Sequence, residues 1–498
     1  MKSKPNVARF AILLFFIISV SSCAGLRPLE KPAPVIHPVY KLSAKIDSLL
    51  ASPLFNQTQT AVKIISLTRN RVIYERNSRL LMNPASNMKL LTTASALKIL
   101  GPNYRFDTRL LAVRSTVQDS IIQGDLFLKG GGDPDLISED LRDLIDQLVF
   151  LGIKKINGNL VADAAFLDSL PRGRGWMWDD DPDDYAAHLS ALTLNDNCVD
   201  VFAKPSDHLF DKVKLFLLPE TNYVSVENNG ITGDSSQTDN LKISRKWMTG
   251  ENIITVRDTL PINAPLYQIK INIEDPTLYT VTVFKELLAQ NGIDLHGTIL
   301  KGKTPDGAET LAVHRSQPLT NIVENTNKIS DNLSAELLLK TIGAVTGGEP
   351  GSAKKGLQAM RNFLQQIGID SLSYYVVDGS GVSRYDVITA DLITSLLAYM
   401  YHDFAVGSEY LSSLPIAGVD GTIQNRMTGT AAQGKLRAKT GSLLGVSSLS
   451  GYASTQDGDV LAFSILMQNF IRSAKPYRDA QDSIGVWMAK FHWGSGKK

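Results

Sequence analysis

The chain has 498 residues, 51 of them basic and 50 acidic, for a formal net charge of +1. That length is more than one hydrophobic core supports, so two or three domains are expected. The balanced charge offers no polyanion-binding surface and argues against nucleic acid as a partner.

The first 22 residues have the form of a targeting segment. Lys2, Lys4 and Arg9 precede an apolar run of 11 residues, 10–20, which is too short to span a bilayer. Val20-Ser21-Ser22-Cys23 follows. Small residues before a cysteine at this place resemble the lipobox of bacterial lipoproteins. The resemblance implies cleavage before Cys23, a lipid on its thiol, and a membrane-anchored protein of the periplasm or cell envelope. An ordinary secretory signal cut nearby is the alternative. Removing residues 1–22 takes away three of the 51 basic residues and no acidic one, leaving 48 against 50, net −2. Cys198 is then the remaining thiol, so no internal disulfide is expected. Its neighbours Asn197 and Asp200 provide no cation to activate it, and it reads as a core residue.

Residues 23–40 carry Pro28, Pro32, Pro34 and Pro38 and read as a semi-extended tether. Residues 41–103 form the first part of a discontinuous domain. A short helix over 41–50 is followed by a hairpin built from residues 61–67 and 71–74. A helix over 86–100 comes after Asn83-Pro84-Ala85 and is stopped by Gly101, the usual asymmetry of helix ends. Residues 104–275 change character, with short strands near 120–128, 158–162, 213–218 and 253–256 between Gly, Asp and Asn turns. They read as a mainly β inserted region of one or two subdomains. Residues 276–495 return to the first domain, with helices over 280–291, 332–342, 356–367 and 390–401. Residues 435–455 and 460–468 read as two adjacent strands, and a helix over 480–491 closes the chain. The fold class is therefore α/β (α+β) and multidomain. No repeat of 20–50 residues is present.

Three short motifs occur in one order: Ser86-Asn87-Met88-Lys89, Ser330-Asp331-Asn332 and Lys439-Thr440-Gly441. Together they are the signature of penicillin-binding proteins and serine β-lactamases. Each alone is weak, because Ser-x-x-Lys also occurs at Ser95/Lys98, Ser352/Lys355 and Ser495/Lys498. Ser86 is singled out by its place at a helix start, where free backbone N–H groups favour developing negative charge. Lys89, three residues on, shares its helix face. If desolvated, it can be neutral enough to take the serine proton. Ser330 and Asn332 open a helix, where a cap serine and a turn asparagine are also ordinary. Lys439-Thr440-Gly441 falls in a strand whose edge can pair with an extended peptide, and Gly441 would let substrate backbone approach closely.

Further segments extend the match: Gly130-Gly131-Gly132-Asp133-Pro134, Gly175-Trp176, Asp378 to Arg384, Leu414 to Gly421 and Lys439 to Leu443. Over residues 45–490 the chain resembles the D-alanyl-D-alanine carboxypeptidase/endopeptidase family of low-molecular-mass penicillin-binding proteins. The 244 positions from Ser86 to Ser330 match the large insertion of that family. The resemblance implies a penicillin-binding-protein/β-lactamase-like transpeptidase core and a serine DD-peptidase acting on peptidoglycan stem peptides through an acyl-enzyme. It implies Ser86 as nucleophile, Lys89 as base, a Ser330–Lys439 proton relay, and Asn332 as donor to the substrate amide. The backbone N–H groups of Ser86 and Ser442 would form the oxyanion hole, with the Thr440 and Ser442 hydroxyls on the substrate carboxylate. β-Lactam antibiotics would acylate Ser86. Asp163 and Arg384 would face the substrate's diamino-acid side chain, although Leu444 stands where the family often has a polar residue.

No His-Glu-x-x-His, paired-cysteine motif, Walker loop or Gly-x-Gly-x-x-Gly is present, so neither a metal nor a cofactor is expected. The absence of Gly-x-Ser-x-Gly counts against an α/β-hydrolase. Two rivals remain: a β-lactamase or esterase on the same core, opposed by length and by the lack of a Glu-x-x-Leu-Asn segment, and a catalytically dead peptidoglycan-binding scaffold.

Overall fold

In a computed structural model, residues 37–494 are described. The targeting segment, Cys23 and most of the tether lie outside them. The tether's last residues do not: Pro38 opens a helix, Pro38–Leu50. This fits proline's tolerance at a first helical turn.

The first domain is built on a five-stranded sheet in the order Arg71–Arg76, Gln59–Ser66, Val460–Gln468, Val446–Ser454, Leu436–Leu443. All of its pairings are antiparallel. The side-chain alternation of a strand decides its two faces. Val62 and Ile64 point to one side, into a core shared with Leu42, Ile46, Ile484 and Met488 of the first and last helices. Ala61 and Ile65 point to the other, against Leu90, Leu91 and Ala94 of helix Met88–Ile99 and Ile393 and Leu396 of helix Ala390–His402. Helix Met88–Ile99 is buried from Met88 to Leu97, its hydroxyls satisfied inside: Thr92 donates to the Gly379 carbonyl, Thr93 to that of Lys89 and Ser95 to that of Leu91. The stretch 435–455, expected as one strand, is two. Leu444 and Gly445 (φ +72°) make the tight turn between them.

The inserted region has its own core. Its main sheet runs Ile299–Lys301, Leu160–Asp163, Leu126–Lys129, Asp107–Val113, Ala308–Arg315. This corrects the domain boundary expected at 275. Strand Ala308–Arg315 pairs with Asp107–Val113, and helix Pro276–Gln290 contributes Val283, Phe284 and Leu287 to the inserted core. The insertion therefore ends near Arg315. It also contains helix Ser138–Phe150, more helix than a mainly β region suggests. Cys198 lies buried in it, and burial pushes its thiol pKa well up.

Candidate active site

The chain enters the site through a short 3-10 turn, Ala85–Asn87, just ahead of helix Met88–Ile99. Ser86 therefore sits on the turn and not on the helix proper. Ala85 has φ +46°, a left-handed conformation held against the preference of a β-carbon residue. Three neighbours hold it. Asn83 Oδ1 accepts from Ala85 N at 2.9 Å. Ser448 Oγ donates to the Pro84 carbonyl at 2.7 Å. Asn87 Nδ2 donates to the Lys439 carbonyl at 3.0 Å. Gly441 and Gly381 are required by this packing. A Cβ on Gly441 would lie 2.6 Å from the Pro84 carbonyl oxygen, and one on Gly381 would lie 2.0 Å from that of Ala85. Gly441 thus makes room for the Ser86 turn, in addition to the close substrate approach expected of it.

Lys89 is fully buried. Its Nζ donates to Ser86 Oγ at 3.1 Å, to Asn332 Oδ1 at 2.5 Å and to the Ser380 carbonyl at 2.8 Å. Burial lowers its pKa to about 8, against the opposing pull of Asp331, Asp378 and Glu336. Lys439 is equally buried, and its Nζ donates to Ser330 Oγ at 2.7 Å and to the Thr440 carbonyl at 3.0 Å. Burial, then the charge of Lys89, holds its pKa well below the ordinary lysine value. Two ammonium groups in one desolvated pocket disfavour each other, which is how a lysine becomes a base near neutral pH.

Ser330 reaches this pocket from a left-handed residue, φ +67°. The cap of helix Asn332–Gly347 is Asp331, whose carboxylate accepts from Leu333 N and Ser334 N. This leaves the Ser330 hydroxyl free for Lys439. Ser86, Ser330, Thr440, Gly441 and Ser442 line one cleft of about 600 Å³. Thr440 Oγ1 lies 2.8 Å from Thr422 Oγ1.

Three expectations change. The Asn332 amide donates to the Tyr185 carbonyl at 2.8 Å, so its donor is occupied by a loop of the inserted region. Asp163 does not line the cleft. It is fully buried, and its two oxygens accept from Ala165 N at 3.0 Å and Thr304 N at 2.8 Å. Arg384 is exposed, and its guanidinium donates to the Leu444 carbonyl at 2.9 Å, bracing the turn after the Lys-Thr-Gly strand.

The sequence reading missed the support behind Lys89. Asp378 accepts from Gly381 N and Ser383 N, both at 2.8 Å, and from Trp176 Nε1 at 3.0 Å. Glu336 accepts from Gly379 N and Ser380 N. The sequence signal for it lies in Gly175-Trp176 and in Asp378 to Ser383. Elsewhere Asp181, His188 and Glu274 bring ligand-type atoms within 4.8 Å of one another. Arg245, fully buried, already bonds Asp181 at 2.7 Å and Glu274 at 3.0 Å. Burial works to raise the Asp181 pKa, but His188 and Arg245 hold it at about 2. This is an ion-pair network with the cation places taken by arginine.

Residues 42–491 match the model of the D-Ala-D-Ala carboxypeptidase 3 (S13) family. The chain is 33% identical over 465 residues to a D-alanyl-D-alanine carboxypeptidase of Actinomadura sp., covering 91% of this chain and 85% of that protein. It is 28% identical over 400 residues to D-alanyl-D-alanine carboxypeptidase DacB of Haemophilus influenzae, covering 80% and 83%. The crystal structure of penicillin binding protein 4 (dacB) from Haemophilus influenzae is similar with a TM-score of 0.80 at 26% identity, covering 90% of this chain and 99% of that one. A β-lactam complex of that protein is similar with a TM-score of 0.74 at 25% identity, covering 88% and 98%.

Proposed function

The chain belongs to the D-Ala-D-Ala carboxypeptidase 3 (S13) family, and from that membership we propose how its cleft residues divide the chemistry. The protein is a penicillin-binding serine DD-peptidase that acts on peptidoglycan stem peptides through an acyl-enzyme. Its fold is similar to that of its penicillin-binding relative.

Ser86 Oγ attacks the carbonyl of the penultimate D-alanine. Neutral Lys89, 3.1 Å away, takes its proton, and the bond seen as Lys89 donating then runs in the opposite sense. The oxyanion is met by the backbone N–H groups of Ser86 and Ser442, usually a large term in acyl transfer. Lys439 hands a proton through Ser330 to the leaving amine, along their 2.7 Å bond. Thr440 and Ser442 hydroxyls, on the cleft lining, bind the substrate carboxylate. Asn332 fixes Lys89 through Oδ1, and its amide turns to substrate only if the Tyr185 carbonyl yields. Water then releases the acyl group, more slowly when the acyl group is a β-lactam.

The observation that carries this reading is the meeting of two buried lysines with two hydroxyls, drawn from motifs hundreds of residues apart. Mass spectrometry of muropeptides before and after digestion tests it. Loss of D-alanine or of cross-links is expected with the wild type and not with Ser86→Ala. Equal digestion by both would contradict it. The basic start, apolar run and Cys23 of residues 1–23 support export and a lipid anchor through Cys23. Metabolic labelling with a palmitate analogue, lost in Cys23→Ser, tests the anchor.

A further inference from the structure

We propose that Glu336 is a positioning residue for Lys89, a buried carboxyl whose charge sets how readily the base gives up its proton. The proposal rests on reading Lys89 as the general base.

Glu336 lies on helix Asn332–Gly347, one turn beyond Asn332, which receives Lys89. It is fully buried. Its Oε1 accepts from Gly379 N at 2.9 Å and Ser380 N at 2.8 Å. The Ser380 carbonyl accepts from Lys89 Nζ at 2.8 Å. Ser380 is therefore held by the carboxylate at its N–H and holds the base at its carbonyl. The second oxygen, Oε2, is buried without a partner. A glutamine would satisfy the same two backbone donors. What glutamate adds is charge.

That charge is finely balanced. Asp378 and Asp386, both fully buried, face it from the 377–386 loop, and Asp331 caps its own helix. Lys89 stands on the site side with Lys439 beyond it, and Lys340 follows one turn later on the same helix, held by Asp168 at 2.7 Å. A cavity of about 530 Å³ on its outer side carries Arg172, Arg174, Lys354 and Arg361. Burial first, then Asp378, push the Glu336 carboxyl up to about 7, close to the value of about 8 for Lys89. The Glu336 charge is one of those that hold the proton on Lys89, so the two ionisations interact. As pH rises, Glu336 ionises and holds the proton on Lys89. As pH falls, Glu336 is neutralised and Lys89 gives up its proton more easily. The base is thereby buffered against pH.

The test is the pH dependence of acylation by a fluorescent penicillin, read as a pseudo-first-order rate so that inactive protein does not enter. The wild-type rate should fall on the acid side over a wider pH range than one ionisation spans. Glu336→Gln keeps the acceptor for Gly379 and Ser380 and removes the charge, so the acid limb should move down by about one pH unit and narrow to a single ionisation. Glu336→Asp keeps a carboxylate and should leave the limb above that of the Gln variant. A wild-type limb that fits one ionisation, or a Gln variant slowed at every pH with its limb unmoved, would overturn the proposal and leave Glu336 a loop support. A wild-type profile with no acid limb overturns the reading of Lys89 as base, and the proposal with it.

Discussion

Replacing Gly441 with alanine isolates the packing that places Ser86. The new Cβ would lie 2.2 Å from Ser448 Oγ, 2.6 Å from the Pro84 carbonyl oxygen and 3.0 Å from Ser86 N. The hydroxyl can rotate away, but the carbonyl is backbone. Moving it from 2.6 Å to the 3.0 Å floor of real Cβ contacts separates strand and turn by 0.4 Å, and ordinary contact at 3.4 Å needs 0.8 Å. The strand that moves carries Ser442, and the turn that moves carries Ser86, so the two proposed oxyanion donors part. A misplacement approaching 1 Å costs ~100-fold in rate, which predicts penicillin acylation slowed by roughly 10- to 100-fold. Overpacking of this kind destabilises by only about 1–3 kcal/mol, so the variant should fold and melt a few degrees lower. Adding Ser448→Ala removes the hydroxyl and not the carbonyl, and should fail to restore the rate. Stopped-flow acylation with a melting curve measures both. A Gly441→Ala protein that acylates at the wild-type rate would refute the reasoning.

Three further outcomes are expected. Because burial lowers the Lys89 pKa to about 8 and the neutral form is the base, acylation should rise with pH and level off above that value. A rate that falls as pH rises from 6 to 8 would contradict this. Trp176→Phe removes the indole donor to Asp378, a 3.0 Å bond, and should destabilise by about 1–3 kcal/mol, read as a lower melting temperature with slower acylation. Asp163→Asn places an amide where two backbone N–H groups expect oxygen. It should lower the melting temperature while leaving the relative kcat/KM for stem peptides with different diamino acids unchanged; an altered preference would return Asp163 to the substrate.

The core of the site was readable because its residue types carry their chemistry with them. A serine and lysine three apart at a helix start, and a Lys-Thr-Gly strand, are informative before any contact is known. The support behind them was not, because it consists of backbone. Ser380 acts through its carbonyl, and Glu336 acts through the N–H groups of Gly379 and Ser380. The end of the insertion was misplaced because the pairing of Ala308–Arg315 with Asp107–Val113 joins residues some 200 apart, and no local pattern encodes such a register. Helix Pro276–Gln290 looks the same in sequence whichever core it joins. The turn at Leu444 and Gly445 was hidden inside a continuous strand-like run with a single glycine as its mark. Asp163 was expected at the substrate because a carboxylate that ties loops and one that meets substrate are alike in sequence; the donors around it, Ala165 N and Thr304 N, appear only in the fold.

The most direct test of the account is to incubate the protein with benzylpenicillin, digest it and locate the adduct by peptide mass spectrometry. One penicilloyl group on Ser86, absent in Ser86→Ala and strongly slowed in Lys89→Ala, is the predicted result. An adduct on Ser95 or Ser352, or undiminished labelling of Ser86→Ala, would contradict it.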